Sequence, residues 1–336
     1  MLFTGVCFSL VWAQTQNPPQ KKVVEQKKEN PPEEYTEEEY NAYQAAADET
    51  DPTKKAALIL AFIEKYPKSK LLPNITPLYD TLLYEVHKAG DYKKLQQLAA
   101  QWLKRKPDNL QVEAYLFDAA LKLVEYDKVV EYGEKIYAHK PSADLAYVLY
   151  NGYDKLDNKA KKLEWQLKLL EYPEYSDNVG LLWGMVVEYA EKDLPKAGAY
   201  AEKTLKALST GKKPANVAET EWNRNTHDIE RGCYDIIGMN LFNEKKYTQA
   251  LDALQKAVKV ECYELGYYYI AQCYWNLNQP EEAHDNFAIA DLLGGKMSAQ
   301  AKKYCLEIYK SLHNGTDTGI DKVYRRARTV VDACRK

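Results

Sequence analysis

The chain has 336 residues, with 46 Lys and Arg against 49 Asp and Glu, which gives a formal charge of −3. This near balance excludes the strongly basic surface of a nucleic-acid-binding protein. No apolar run approaches the ~20 residues of a transmembrane helix, so we expect no integral membrane segment in the mature chain. With 15 Gly and 14 Pro, and 28 Tyr beside only 6 Phe, the composition is typical of a helix-rich chain.

The N-terminus resembles a secretory signal peptide. Residues 1–13 are apolar and end in Ala13 before Gln14, which matches the small-residue rule for cleavage. No Lys or Arg precedes the apolar core, which leaves a cytoplasmic chain with a ragged N-terminus as the alternative. We expect cleavage after Ala13 and export to the periplasm or the extracellular space. Residues 14–35 are rich in Pro, Lys and Glu and are predicted to be a disordered spacer.

The body of the chain repeats a pattern of paired amphipathic helices, and prolines at the ends of the second helices give its spacing. Pro107, Pro141 and Pro173 follow one another at nearly equal intervals, each close to the period of a helix-hairpin repeat. Proline cannot continue a helix and disfavours helical backbone in the residue before it. The apolar periodicity and this spacing predict hairpins at 36–66, 76–106, 110–140, 143–172, 178–208, 229–260, 263–292 and 298–334.

Residues 209–225 interrupt the series, since they contain Gly211, Pro214 and three Asn. We expect an insertion there that can divide the array into two lobes. The predicted organisation is five hairpins at 36–208, the insertion at 209–225, the two best-matching repeats at 226–297, and a terminal hairpin with a capping helix at 298–336.

The two best-matching repeats place the same kinds of residue at a constant offset, which the step from Ala250 to Ala283 defines. Small residues allow two helices to approach closely, and larger apolar residues fill the space between hairpins. The predicted packing residues are Tyr234, Ile237, Gly238, Leu241, Tyr247, Ala250, Leu254 and Ala257 in the first repeat, and Tyr267, Ile270, Ala271, Tyr274, Ala283, Phe287 and Ala290 in the second.

This pattern resembles the tetratricopeptide repeat, with Tyr234 at the position of the family's first Trp. The resemblance covers about 40–334 and is strongest at 229–292. It implies an all-α fold, a right-handed superhelical solenoid of about eight antiparallel helix hairpins, in an exported bacterial protein.

No catalytic or metal-binding motif accompanies the repeats. The five His form no H-E-x-x-H motif and no pair at helical spacing, and no Cys has metal-ligand spacing. His227 beside Asp228 is better explained as part of a helix start than as a catalytic dyad. We therefore expect no enzyme activity, no metal and no cofactor, with a hydrolase in the insertion as the minor alternative.

Five cysteines remain after the predicted cleavage, and all lie in the last third of the chain. Small buried apolar residues are the simplest interpretation, and a structural bridge near the C-terminus is the alternative. The pairing among them stays open at this point. The five are Cys233, Cys262, Cys273, Cys305 and Cys334.

The last helix, at 320–336, has six Lys and Arg against two Asp. Its charge fits a solvated capping face, with docking to an acidic partner or to lipid head groups as the alternative.

The resemblance also implies that the first helices of the hairpins line a concave groove that binds a protein or peptide. Some co-chaperone members grip a terminal carboxylate with Lys, Asn and Arg, and this sequence lacks that clamp. A non-enzymatic scaffold of the bacterial cell envelope is the expected function, and a subunit that self-assembles into an oligomer or filament is the alternative. The candidate groove residues are Tyr84, His87, Asp118, Leu121, Leu182, Tyr189, Asp235, Met239, Phe242, Tyr268, Gln272 and Trp275.

Overall fold

The computed structural model describes residues 35–211 and 218–335. Within these two ranges all regular elements are helices, sixteen in number. The predicted signal peptide and almost all of the predicted spacer lie outside the described residues. In chain order the helices are α1 (Glu37–Asp48), α2 (Pro52–Lys65), α3 (Leu72–Lys88), α4 (Tyr92–Leu103), α5 (Leu110–Leu123), α6 (Tyr126–His139), α7 (Ala143–Lys155), α8 (Lys159–Leu170), α9 (Val179–Tyr189), α10 (Leu194–Thr210), α11 (Glu219–Asn243), α12 (Tyr247–Val260), α13 (Glu264–Asn276), α14 (Pro280–Leu293), α15 (Ser298–Leu312) and α16 (Ile320–Cys334).

The chain divides into two compact units, Met1–Leu123 and Val124–Lys336, which we call unit 1 and unit 2. The division lies in the turn between α5 and α6, and not in the segment 209–225 where we expect it. The physical reason is that α10 and α11, on either side of that segment, pack directly against each other. The insertion is also shorter than expected, because α10 continues to Thr210 and α11 begins at Glu219.

Local sequence explains where several helices begin. Thr36 and Glu39 form a reciprocal capping box at the start of α1. Asp51 accepts backbone hydrogen bonds at the start of α2, and Pro52 occupies the first turn, where its missing N–H costs nothing. Comparable side-chain caps start α4, α7, α8, α9 and α10. These caps fix the ends of helices that are too short to be stable alone.

The turns inside the hairpins share one backbone feature. In five of them a residue has positive φ and ends the first helix: Gly90, Val124, Asp157, Lys245 and Asn278. The steps from Gly90 to Val124, from Val124 to Asp157 and from Lys245 to Asn278 are almost equal in length and match the tetratricopeptide period. The backbone therefore repeats with the period that the prolines and small residues predict.

The predicted small residues lie where helices approach most closely. A Cβ atom added to Gly238 would lie 2.6 Å from Leu254 Cγ, so α11 and α12 could not approach so closely with a larger residue there. Ala250 and Ala257 are fully buried in α12, as Ala283 and Ala290 are in α14. Seven of the nine large predicted packing residues belong to the cores around these alanines: Leu241, Tyr247, Leu254, Tyr267, Ile270, Tyr274 and Phe287. Ile237 packs instead against the core formed by Val186, Ala201 and Cys233.

The last helix, α16, packs along α14. Its buried face consists of Val323, Ala327 and Val331. Two polar contacts tie it to α14: Tyr324 donates a hydrogen bond to Asp291 at 2.9 Å, and the Arg326 guanidinium donates two to the Asp285 carboxylate at 2.6 and 3.0 Å.

A disulfide joins Cys262, after α12, to Cys334 at the end of α16. The structural bridge is therefore the correct alternative for these two cysteines. Cys233, Cys273 and Cys305 are buried thiols, as the simpler interpretation predicts.

Candidate partner-binding surface

Some first helices of neighbouring hairpins touch one another. α1 contacts α3 and α3 contacts α5 in unit 1, while α9 contacts α11 and α11 contacts α13 in unit 2. Among the twelve candidate residues, Tyr84 and Trp275 are exposed, by 51% and 49%. Leu182 and Tyr268 are buried, at 2% and 8% exposure. The remaining eight are half-buried: His87, Asp118, Leu121, Tyr189, Asp235, Met239, Phe242 and Gln272.

Three of the predicted residues contribute to one polar and aromatic cluster in unit 1. His87 Nε2 on α3 lies 2.7 Å from Asp118 Oδ2 on α5, within hydrogen-bond distance. The ring of Tyr115, one turn before Asp118, lies 5.1 Å from the His87 ring. Burial raises the pKa of Tyr115. Asp80, Tyr84 and His87 follow one another at spacings of four and three residues along α3, so they lie on one face of that helix. We call these five residues, Asp80, Tyr84, His87, Tyr115 and Asp118, the His87 cluster.

Buried aromatic residues pack next to the His87 cluster and orient one of its carboxylates. Trp102 of α4 stacks on Tyr79 of α3 with 4.3 Å between ring centroids, and both are buried. Trp102 Nε1 donates a hydrogen bond of 3.0 Å to Asp80 Oδ1, which fixes that carboxylate at the edge of the cluster. Asp80 and Tyr115 were not among the predicted residues. Their helical spacing of three or four residues from Tyr84 and Asp118 could have identified them.

A second group of predicted residues lies on α11 and α13 in unit 2. Met239 and Phe242 on α11 occupy the positions that Gln272 and Trp275 occupy on α13, one repeat later. Phe242 packs edge-on against Tyr269 of α13 at 5.3 Å, while about half of the Trp275 side chain is exposed. We call Met239, Phe242, Gln272 and Trp275 the Trp275 surface.

The three consecutive tyrosines of α13, Tyr267, Tyr268 and Tyr269, do not contribute an exposed face. Tyr268 packs edge-on against Phe287 at 5.5 Å. Tyr267 and Tyr269 are partly buried against the same core. All three pack because α13 lies between α12 and α14 and also contacts α11. Tyr268 is therefore a core residue and not a partner contact.

Asp235 also has an internal partner. Tyr263 donates a hydrogen bond of 2.6 Å to Asp235 Oδ1. Burial raises the pKa of Asp235, although the bond from Tyr263 and the charge of Arg231 act in the opposite direction. Burial and the Asp235 carboxylate raise the pKa of Tyr263 in turn. This pair links α11 to the start of α13, and burial limits what the Asp235 carboxylate can offer to a ligand.

Leu182 and Tyr189 on α9 face the second helix of their own hairpin. Tyr189 stacks on Tyr200 of α10 at 6.0 Å and accepts a hydrogen bond of 2.8 Å from Lys196. Leu182 lies at the wall of an open cleft of about 580 Å³, which Leu170, Tyr200 and Lys203 also line. These two predictions therefore mark packing within the α9–α10 hairpin.

Neither a family model nor a curated protein sequence matches the chain. Solved structures of helical-repeat proteins do resemble it. Yeast Tom70 is 13% identical with a TM-score of 0.38, over 84% of this chain and 56% of that one. A tetratricopeptide repeat protein from Parabacteroides merdae is 14% identical with a TM-score of 0.31, over 81% of this chain and 98% of that one. A MamA mutant is 20% identical with a TM-score of 0.36, over 54% and 97%.

The repeat inside the chain itself decides the architecture. Helix hairpins recur at a nearly constant interval, five of the turns between consecutive helices contain a left-handed residue, and small residues lie at the helix contacts. The chain has the tetratricopeptide-repeat fold. The positions that correspond, by resemblance, to the carboxylate clamp of the co-chaperones hold Asp235, Met239 and Asn243 on α11 and Tyr268, Gln272 and Asn276 on α13.

Other kinds of site have little support in the tetratricopeptide hairpins. His227 and Asp228 are neighbours on the first part of α11. Within residues 35–211 and 218–335, no three His, Cys, Asp or Glu side chains are grouped so that they could hold a metal ion. In the same ranges no helix is both long enough and apolar enough to cross a bilayer.

Proposed function

We propose that this protein is a non-enzymatic interaction scaffold that binds a segment of a partner protein on the Trp275 surface. The observation that carries the proposal is the exposed side chain of Trp275 on the first helix α13, beside the half-buried Gln272. Trp275 occupies the position on α13 that Phe242 occupies on α11 in the preceding repeat. Tryptophan gives a large contact area with few rotatable bonds and is enriched among the residues that dominate binding energy.

The surface suits a flat apolar contact better than a charged peptide end. Met239, Phe242 and Trp275 carry no charge. Gln272 Nε2 donates one hydrogen bond to the Tyr268 hydroxyl at 3.3 Å, and its second N–H and its carbonyl oxygen can bond a peptide backbone. Asp235, the charged group one turn before Met239, is already bonded to Tyr263. A partner segment with a large apolar side chain therefore fits this surface, with main-chain groups bonded to Gln272.

Peptide selection followed by titration tests the proposal. Random peptides displayed on phage are selected on the purified wild-type protein, and the enriched peptides are synthesised and titrated by calorimetry. We expect Trp275→Ala to weaken their binding by at least tenfold, because truncating a central aromatic typically costs about 2 kcal/mol. The matched control is Leu58→Ala on α2, which removes another exposed apolar side chain, 37% exposed, from a second helix.

Two results would contradict the proposed function. One is the failure of any peptide to be enriched and bound. The other is binding that Trp275→Ala and Leu58→Ala weaken equally, since the first-helix surface would then have no special role.

We also propose that the protein works outside the cytoplasm, in the bacterial cell envelope. The apolar N-terminal stretch and the Cys262–Cys334 disulfide support this, because structural disulfides persist in oxidising compartments. N-terminal sequencing of the protein purified from its source should find Gln14 as the first residue. An intact Met1 together with reduced Cys262 and Cys334 would contradict export.

A further inference from the structure

We propose that the His87 cluster of unit 1 is a binding site for an arginine side chain of the partner protein. The inference rests on the proposed function and names the chemistry of a second contact, in a different unit from the Trp275 surface. The cluster joins exposed or half-exposed tyrosine rings to carboxylates in one place, and this is the combination that receives a guanidinium group.

The aromatic component consists of Tyr84 and Tyr115. Tyr84 on α3 has half of its surface open to solvent, an unusual degree of exposure for a large ring. Tyr115 lies on the neighbouring α5, where its ring is 5.1 Å from the ring of His87, one helical turn after Tyr84 on α3. A planar cation above either ring is attracted by the negative face of the π system.

The acidic component consists of Asp80 and Asp118. In the part of the chain that the structure describes, neither carboxylate forms an ion pair with a lysine or arginine. Asp118 contacts His87 through Oδ2, and Asp80 accepts from Trp102 through Oδ1. Each carboxylate thus has one oxygen committed to an internal partner that fixes its orientation, and a second oxygen that an incoming donor can use.

The geometry favours arginine over lysine as the incoming group. A guanidinium is planar, stacks on tyrosine and offers five donors in a fixed arrangement, whereas an ammonium is a compact charge with a tightly held hydration shell. The carboxylate positions are also set before binding, by the Trp102 hydrogen bond and the His87 contact, so little side-chain freedom is lost. Asp118 is 24% exposed at its side chain, so the contact is shielded from water in part.

Paired peptides test this site directly. The probes are fluorescein-labelled dodecapeptides with arginines separated by Gly and Ser, and the same peptides with citrulline, which keeps the shape and removes the charge. Fluorescence anisotropy is measured at about 0.15 M salt, where distant charges are screened. We expect the wild-type protein to prefer the arginine peptide by about tenfold, the effect of a charged hydrogen bond together with a cation–π contact.

Three variants test whether the residues of the His87 cluster cause the preference for the arginine peptide. Asp118→Asn and Asp80→Asn keep the shape and an acceptor oxygen that can face His87 or Trp102, and each should lower the preference for arginine severalfold. Tyr84→Ala removes a ring that is half exposed, so it should fold normally and also lower the preference. The control Asp127→Asn removes a carboxylate of α6 and changes the net charge by the same amount.

The outcomes separate this inference from the proposed function. An equal affinity for arginine and citrulline peptides, or a preference that survives all three variants or is lost equally in Asp127→Asn, overturns the arginine site. If the phage-selected peptides still depend on Trp275 in that case, the scaffold function stands without it. In the opposite case, the wild-type protein prefers arginine, the cluster variants lose this preference, and no selected peptide depends on Trp275. The arginine site is then supported and the Trp275 surface is contradicted.

Discussion

Single turn residues with positive φ recur at equivalent places in this repeat. Gly90, Val124 and Asn278 occupy equivalent places with φ of 74°, 60° and 60°. Glycine and asparagine enter this left-handed region at low cost, but a β-branched residue clashes with its own backbone there. Val124 is 61% exposed, so it gains little packing in return. The turn therefore holds local strain at this one position.

Val124→Gly should stabilise the protein for this reason. We expect the free energy of unfolding to rise by about 1 kcal/mol, since relief of left-handed strain outweighs the added flexibility of the unfolded chain. Urea denaturation followed by circular dichroism measures the change.

The reciprocal variant Gly90→Val provides the matched control. A Cβ atom added at Gly90 meets nothing within 4 Å, so any loss comes from the backbone alone. It should lower stability by about 1 kcal/mol or more. If both variants shift stability in the same direction, strain at this turn position is not the cause.

At the scale of elements, specific bonds contribute to the attachment of α16. Its apolar face contributes only three buried residues, and polar contacts with α14 add to that. Burial alone would raise the pKa of Asp285, but the neighbouring His284 and Arg326 lower it below the ordinary value. Arg326 is one of the cations of the basic helix α16, and its charge is paired with Asp285 inside the protein. This cation therefore contributes to packing and is not free for an outside partner.

The disulfide should contribute more to the attachment of α16 than any of these contacts. It closes a loop across 72 positions in sequence, and the loss of chain entropy in the unfolded state corresponds to about 4 kcal/mol for a loop of this length. We expect reduction with dithiothreitol to lower the thermal unfolding midpoint by several degrees. Differential scanning fluorimetry measures the shift.

A double variant, Cys262→Ala with Cys334→Ala, makes this test specific. Its midpoint should match that of the reduced wild type and should not respond to dithiothreitol. A response of the double variant to reductant would assign the effect to another group, and an unchanged wild-type midpoint would mean that the bridge does not stabilise the fold.

The sequence predicts the positions of the helices better than it predicts which side chains are exposed, and the reason is physical. Hairpin positions follow from prolines, small residues and apolar periodicity, which are local and repeat. Whether a first-helix residue faces a groove depends on how tightly its neighbours pack. Tyr268 looked like a ligand contact by register, but Phe287 of α14 covers it. Asp80 and Tyr115 lie at helical spacing from Tyr84 and Asp118, but this spacing singles them out only once α3 and α5 are seen to lie side by side.

At the scale of the whole molecule, the division into two units also depends on packing that local sequence does not report. The Gly, Pro and Asn content of 209–225 suggested a boundary, yet α10 and α11 pack together across it. The boundary instead lies at a short turn whose sequence, Val124 and Glu125, contains no residue typical of a linker. Contact density and not loop composition sets where a helical array divides, and single-sequence patterns do not report contact density.

The state of the thiols bears on whether whole molecules assemble through them, as the alternative of a self-assembling subunit supposes. Cys233, Cys273 and Cys305 are each fully buried, and burial raises the pKa of each thiol to about 12. A buried, protonated thiol cannot attack a partner's cysteine, because the thiolate is the reactive form. Intermolecular disulfides at these positions would require local unfolding.

We therefore expect iodoacetamide at a mildly alkaline pH to leave these three cysteines unmodified in the folded, oxidised protein and to modify all three in urea. Peptide mass mapping identifies the labelled positions. Light scattering in parallel should give one molar mass with and without reductant. Modification of Cys233, Cys273 or Cys305 in the folded state, or a mass that falls on reduction, would favour a cysteine-linked assembly, because only an accessible thiolate can form the intermolecular bond.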